Sequence, residues 1–444
     1  MRIGIFPNLN PFAGGVCQYS LAFLRALYEQ AKTSCKDEFI IYASKLPHYL
    51  ESSEHMNWTL ASAEPPQRRP LLRERLRCVI GEGPHVDGMR WIRRQLYQRF
   101  RQGAPVKVCP YAINVRDDLT GWFHQWGTEL MLYPAPIPDS FETGLPYVMA
   151  IHDLQHRLQP EFPEVSVDGQ WESREYLFRN GTRYATLLLA DSEVGKEDIL
   201  NFYGCYGVTE DKVKVLPFLP ATYLAGEISA TERERVRCKY SLPERYLFYP
   251  AQFWPHKNHG RIVQALGLLK RNFNTKVSIV FCGSHSGSIR ENAFNQTMIL
   301  RSELNLENEI HYIGYVPDEE MAALYSDAVA LTMPTFFGPT NIPVLEAWAF
   351  DCPVLTSDIR GIREQAGDAA VLVDPRSVEA LADGIYRLWT DECLRRALTN
   401  AGHRRLSSYT AKDFADRLMA ILEEAKERVT KIKATRPGAA ANQR

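Results

Sequence analysis

No stretch of the sequence approaches the roughly 18 consecutive apolar residues of a membrane span. The opening run Met1–Pro7 is too short for a signal peptide and lacks a cleavage region. The nine cysteines (Cys17, Cys35, Cys78, Cys109, Cys205, Cys238, Cys282, Cys352 and Cys393) are scattered, odd in number and never spaced C-x-x-C. Neither a zinc site nor a disulfide framework is signalled, and reduced thiols in a cytoplasmic protein are expected. Neither sign of charge dominates: 52 basic against 53 acidic residues leave a formal net charge of −1. The net charge of the molecule as a whole therefore gives no sign of a polyanion binder. No base-reading motif points to nucleic acid. No Walker sequence G-x-x-x-x-G-K and no G-x-G-x-x-G occur, which removes the two commonest phosphate signatures.

What is present is alternation. Short apolar runs, for example Ile3–Phe6, Tyr147–Ile151, Leu187–Ala190, Leu247–Pro250, Ala328–Met333 and Val354–Thr356, alternate with helical patterns such as Val16–Gln30, Gly195–Phe202 and Arg261–Arg271. Apolar strands separated by helices predict parallel sheets covered on both faces. Two such series in 444 residues predict two doubly wound, Rossmann-like α/β domains. The expected division is 1–220, a linker at 221–243 carrying the charged run Thr231–Arg235, and a second domain at 244–408. A helix at 409–430 is expected to pack across both domains, with a disordered tail at 431–444.

Residues 65–105 break the alternation. Ten arginines face three acids between Arg68 and Arg101, and Trp91, Ile92, Leu96, Tyr97 and Phe100 recur at helical spacing. The plainer reading is an amphipathic insertion packed on the first domain. The functional reading is a surface for peripheral contact with anionic lipid, or for an acceptor carrying pyrophosphate.

Candidate chemistry sits at strand ends, where open α/β sheets bind ligands. Gly14 and Gly15 precede a helix, so exposed backbone amides there can approach an anion; a turn needing positive φ is the plainer alternative. His152 and Asp153 follow the strand Tyr147–Ile151, and a structural strand-end histidine is again the alternative. Asp191 and Ser192 end another strand and read as a helix N-cap. In the second half, Lys257 follows the strand Leu247–Pro250 and suits a phosphate clamp. Thr340, Asn341 and Ile342 precede a helix opened by Pro343, whose missing N–H costs nothing there, and free amides at those residues would face a diphosphate. Glu346 lies one turn in, placed to accept hydrogen bonds from a diol such as ribose.

The run Gly338-Pro339-Thr340-Asn341-Ile342-Pro343-Val344-Leu345-Glu346-Ala347, followed by Cys352-Pro353-Val354-Leu355-Thr356-Ser357-Asp358, resembles glycosyltransferase family 4, of the GT-B fold. The similarity extends from about Tyr246 to Pro375. It implies two Rossmann-like domains facing across a cleft and a retaining transferase that needs neither metal nor cofactor. The donor would be a nucleoside-diphosphate sugar. Lys257 would hold its diphosphate, Glu346 its ribose, and amides near Thr340–Ile342 its distal phosphate. His152 would contact the donor sugar near the reacting carbon, and Gly14 and Gly15 would lie against the phosphates. The acceptor would be a glycan or lipid-linked glycan. Phe337-Gly338-Pro339-Thr340-Asn341-Ile342-Pro343 resembles a subset that builds bacterial surface polysaccharides, which favours mannose, then glucose or a deoxyhexose. Two departures stand out. Gly338 occupies the place of the family's first glutamate, and Gln252 that of an arginine five residues before the lysine. Two rivals stand beside the transferase: a sugar-nucleotide epimerase or hydrolase of the same fold, where an epimerase would need extra carboxylates and the missing glutamate argues against one, and a non-catalytic binding subunit, which the two departures motivate.

Overall fold

In a computed structural model of the chain, the described residues are 1–32, 36–51, 57–62, 65–66, 113–221 and 228–435. The first domain is a seven-stranded sheet. Its strands are β1 (Arg2–Ile5), β2 (Glu38–Tyr42), β3 (Trp58–Ala61), β4 (Leu130–Tyr133), β5 (Tyr147–Ile151), β6 (Leu187–Ala190) and β7 (Val213–Val215), in the order β3-β2-β1-β4-β5-β6-β7. The second is six-stranded: β8 (Leu247–Pro250), β9 (Ile279–Cys282), β10 (Ile310–Tyr312), β11 (Ala330–Met333), β12 (Val354–Ser357) and β13 (Val371–Val373), in the order β10-β9-β8-β11-β12-β13. Every pairing is parallel, with Ile5 opposite Ile41 and Leu331 opposite Val354 as examples.

Each order reverses beside its first strand. That switch point opens a crevice at the carboxyl ends of the strands, between β1 and β4 and between β8 and β11. The strands read as apolar runs because helices cover both faces, and β4, β5, β6, β9 and β11 are buried at every position. The strand β3, Trp-Thr-Leu-Ala, is not evident from sequence. It is four residues long at a sheet edge and lacks a continuous apolar run.

Two expected boundaries change. The charged run Thr231–Arg235, expected in the linker, lies in a helix, Ala230–Tyr240. Ser229 caps it, its hydroxyl accepting from the Glu232 amide at 3.1 Å. Val236 is buried in the second domain's core, and Arg235, Lys239 and Tyr240 converge on Glu320 at 2.6–2.9 Å. The charges are the solvated face of a packed helix. The carboxyl-terminal helix runs Ala411–Thr435, so 431–435 are helical rather than tail, while 436–444 lie outside the described residues. Phe414, Leu418, Leu422, Ala425 and Val429 recur at helical spacing and are buried in the first domain's core. Lys426–Asp37 at 2.6 Å and Lys433–Glu129 at 3.0 Å fix the helix there. It therefore ties the end of the second domain back to the first.

Most of the basic segment, residues 67–105, lies outside the described residues, and with it the expected membrane contact. Among the described residues no helix is long and apolar enough to cross a membrane. No group of three or more metal-ligating side chains occurs among them either.

Candidate functional site

The loops at the two switch points meet across a cleft of about 530 Å³. Gly14, Gly15, His152, Lys257, Thr340, Asn341, Ile342 and Glu346 all line it. The structure thus brings every candidate site residue into one space.

On the second domain, β8 runs into the turn Pro255–Lys257. Asn258 adopts a left-handed conformation and pins this turn: its side-chain amide donates to the carbonyls of Pro334 and Pro375, both at 2.8 Å. The Tyr249 hydroxyl donates to the Lys257 carbonyl at 2.8 Å. The Lys257 backbone is therefore fixed, while its ammonium forms no ion pair or hydrogen bond with the described residues. Burial lowers its pKa to about 8, against the opposing pull of Asp153 and Glu164. A cation held this way is poised for an anionic ligand.

The loop after β11 behaves differently from expectation in one respect. The Asn341 amide is not free: it donates to Gln365 Oε1 at 2.9 Å, and Gln365 returns a bond to the Asn341 carbonyl at 2.9 Å. The amides of Thr340 and Ile342 have no acceptor among the described residues. Nor does Asn341 need a left-handed backbone, since its φ is −136°. The positive φ falls on Gly338, at +135°. A Cβ built there would come within 2.8 Å of the Asn341 side chain. Any side chain at 338 requires that neighbour to move, so the structure explains the glycine sterically. Glu346 is buried and accepts from the Tyr325 hydroxyl at 2.6 Å, which orients its carboxylate.

The first domain contributes mostly neutral groups. The His152 ring bonds the Pro134 carbonyl through Nε2 at 2.8 Å, so that nitrogen carries the proton and Nδ1 is left as an acceptor in the neutral ring. Burial lowers its pKa, which favours that neutral form. Tyr19 packs against its edge at 5.0 Å. Gly14 has φ +59° and open space where a Cβ would stand, and a Cβ at Gly15 would meet Ile342 across the cleft at 3.2 Å. Asp153 does not orient the His152 ring. It pairs with Arg174 at 2.9 Å and accepts from the Gln155 amide at 3.0 Å.

Several cleft residues carry no sequence signal. Glu164 of the first domain accepts from His256 Nδ1 at 2.6 Å. Gln18 donates to Asp318 at 3.0 Å, Gln159 to the Phe336 carbonyl at 2.9 Å, and Gln252 to the Phe12 carbonyl at 3.0 Å. The Thr340 hydroxyl donates to Asp191, whose pKa burial pushes up to about 7. Ser192 caps its helix as expected, accepting from the Gly195 amide at 3.0 Å. At the departure Gln252, Arg290 donates to the amide oxygen at 2.8 Å, so a guanidinium stands beside the position that lacks one. Gln18 Oε1, Gln155 Nε2, Glu164 Oε2 and Asn341 Nδ2 are buried at this cleft without a partner among the described residues. Buried polar groups are otherwise nearly always satisfied, so such a cluster marks a ligand space.

Residues 232–405 match the glycosyl transferases group 1 family. The match covers the whole Lys257–Glu346 side of the cleft. Among curated relatives, the chain is 26% identical over 269 residues to the O-antigen chain mannosyltransferase B of Escherichia coli, covering 56% of this chain and 66% of that protein. It is 24% identical over 260 residues to the D-inositol 3-phosphate glycosyltransferase of Corynebacterium jeikeium, covering 57% and 61%. In each case the match spans less than two thirds of the relative. Among solved structures, Anabaena Alr3699/HepE in complex with UDP and glucose superposes with a TM-score of 0.63 at 14% identity, covering 95% of this chain and 99% of that one. The fold is GT-B, as expected. The matched domain and the fold are those of a glycosyltransferase.

Proposed function

We propose that the chain is a retaining hexosyltransferase of the family 4 type. It moves a hexose, with mannose favoured over glucose or a deoxyhexose, from a nucleoside-diphosphate sugar to a glycan or lipid-linked glycan acceptor of a bacterial surface polysaccharide. The observation that carries this reading is the Lys257 ammonium, unpaired in the cleft with the open amides of Thr340 and Ile342, opposite His152. The relatives favour a mannosyl donor and a surface glycan only by their own names.

In the proposed step the bond from the sugar C1 to the diphosphate oxygen breaks. The acceptor oxygen forms its bond to C1 on the same face, and its proton passes to the departing diphosphate. Charge grows on that leaving group, where Lys257 and the two amides stabilise it. A preorganised donor of this kind contributes about 3–4 kcal/mol. The chain's own cation takes the role a metal would otherwise fill. Neutral His152 borders the sugar and offers Nδ1 to a hydroxyl. Glu346 holds the ribose diol, and Gly14 and Gly15 admit the phosphates from the facing domain.

The test combines calorimetric binding of GDP-mannose and UDP-glucose with release of nucleoside diphosphate, with and without glycan acceptors. Binding plus acceptor-dependent release is expected. Release independent of acceptor would indicate a hydrolase, and binding with no turnover on any acceptor a binding subunit. No binding of any nucleotide sugar sinks the proposal.

A further inference from the structure

One side chain, Gln252, joins the two domains through a polarity that a single arrangement satisfies. Its Oε1 accepts from Trp254 Nε1 at 3.0 Å and from the Arg290 guanidinium at 2.8 Å. Its Nε2 donates to the Phe12 carbonyl of the first domain at 3.0 Å. Indole and guanidinium only donate and a carbonyl only accepts, so the amide cannot turn over. We infer that Gln252 and Arg290 are a matched positioning pair. Arg290 sets the amide, and the amide fastens the Phe12 turn, with Gly14 and Gly15 behind it, to the second domain. Its part in turnover rests on the transferase reading above.

Arg290 forms no ion pair among the described residues. Its guanidinium packs over the Trp254 ring at 4.7 Å and donates to Gln252. It stands in the first turn of the helix Ser288–Glu303, where the helix dipole favours an acid and opposes a cation. Helix stability therefore does not account for an arginine here, whereas the Gln252 oxygen does.

The grip falls on a turn with no core of its own. No residue of Pro11–Ala13 is buried. The Phe12 amide is taken by Asn10 Oδ1 at 3.0 Å, within the same loop. The Phe12 ring, 64% exposed, meets the exposed Tyr315 ring of the second domain at 5.3 Å. Gly14 follows with φ +59°, and the helix Gly15–Lys32 starts on the next residue. Whatever fixes the Phe12 carbonyl therefore fixes where Gly14 and Gly15 stand in the cleft.

The departure at 252 follows from this pairing. An arginine there would be another donor-only group. It would leave Trp254 Nε1 without its acceptor and set like charges side by side. Glutamine at 252 with arginine at 290 is one self-consistent arrangement, and arginine at 252 calls for an acceptor at 290.

The test reverses the polarity and then restores it. In Arg290→Glu the new carboxylate accepts from Gln252 Nε2, which turns Oε1 toward the Phe12 carbonyl and sets acceptor against acceptor. Hydrogen exchange of residues 10–18, read by mass spectrometry without donor, should quicken at least about threefold as the turn loosens. Release of nucleoside diphosphate from GDP-mannose or UDP-glucose, with acceptor, should slow about tenfold through misplacement of Gly14 and Gly15. The melting temperature should hold or rise, because an acid suits that helix turn. Adding Gln252→Arg to Arg290→Glu supplies a donor for both the carboxylate and the Phe12 carbonyl, and exchange and turnover should return to within about twofold of the unmodified protein. Arg290→Met, which adds no charge, should keep donor Kd within about threefold. Unchanged exchange in Arg290→Glu, or a double variant no better than the single one, overturns the inference. Faster exchange with full turnover overturns it as well. So does a donor Kd raised about 100-fold in Arg290→Met, which would make Arg290 a diphosphate ligand. No nucleotide-sugar binding by the unmodified protein sinks the transferase reading alone, because exchange scores the pair without donor.

Discussion

The two edges of the cleft are built on the same strand order but hold different chemistry. The second domain presents an unpaired ammonium, two open amides and an oriented carboxylate, all on the loops that follow β8 and β11 or in the first turns of the helix Ile342–Ala349. The first presents a neutral imidazole whose proton is already spent on Pro134, two glycines, and carboxylates committed to Arg174 or Thr340. One edge has open valences for an anion, and the other has a shaped, nearly neutral wall. The difference supports the division of labour proposed above, in which the second domain would bind the diphosphate and the first would position the sugar and whatever attacks it.

The strongest way to break that division is at Lys257. Lys257→Ala leaves a desolvated diphosphate without its counter-charge, at a cost of about 3–5 kcal/mol. Donor Kd should rise at least about 100-fold, read by calorimetry, while the melting temperature is held or raised because a buried unpaired cation is gone. Donor Kd within a few-fold of the unmodified protein would remove Lys257 from the site. The matching change on the other edge is His152→Ala. If the first domain only positions, turnover should fall on the order of tenfold to 10²-fold through misplacement of the sugar. Donor Kd should stay within about threefold. Loss of affinity instead of turnover would erase the distinction between the edges.

The same contrast governs what the sequence made legible. The second domain's loops carry their chemistry in consecutive residues: a lysine just past a strand, a proline opening a helix, a glutamate one turn on. Those were readable, and so was His152 at its strand end. The helix over Thr231–Arg235 was not. Its hydrophobic anchor is the single Val236, and its charges read as a linker until Glu320 is seen gathering them. Glu164, Gln159 and Gln18 were invisible for a different reason. Their partners lie 92, 177 and 300 residues away, and no local pattern encodes a contact made only when two domains meet. Asn341 was legible as a position but not as geometry. Its amide was expected to be free, yet it is bonded to Gln365, 24 residues away.

A smaller effect comes from pH. The unliganded Lys257 titrates at about 8, while a bound diphosphate favours its charged form. Donor affinity should therefore be flat below pH 8 and fall by up to about tenfold per unit above it. This loss should be absent in Lys257→Ala. A flat profile to pH 9.5 in the unmodified protein would contradict a depressed lysine.

The smallest expected effect tests whether the two edges are coupled as well as different. Thr340 belongs to the binding edge, and its hydroxyl donates to Asp191 of the positioning edge. Burial raises the Asp191 pKa to about 7, while the bonds from Thr340 and Ser192 hold it down. Thr340→Val removes one of the donors that stabilise the ionised carboxylate. One such bond contributes about 1 kcal/mol net, or roughly fivefold in an equilibrium. The sign follows from which form loses a partner. Below pH 7 the carboxyl is mostly protonated and the substitution removes little. Above pH 7 it is ionised, and the cleft with Thr340 set against Asp191 loses the full contribution. The ratio of donor KM between Thr340→Val and the unmodified protein should therefore rise from near one at pH 6 to about fivefold at pH 8. Lys257 titrates in both proteins, so its effect cancels in that ratio. A ratio independent of pH would show that Asp191 does not carry charge across the cleft, and the edges would then be joined by the Glu164–His256 and Asp198–Arg360 pairs and the bonds of Gln18, Gln159 and Gln252.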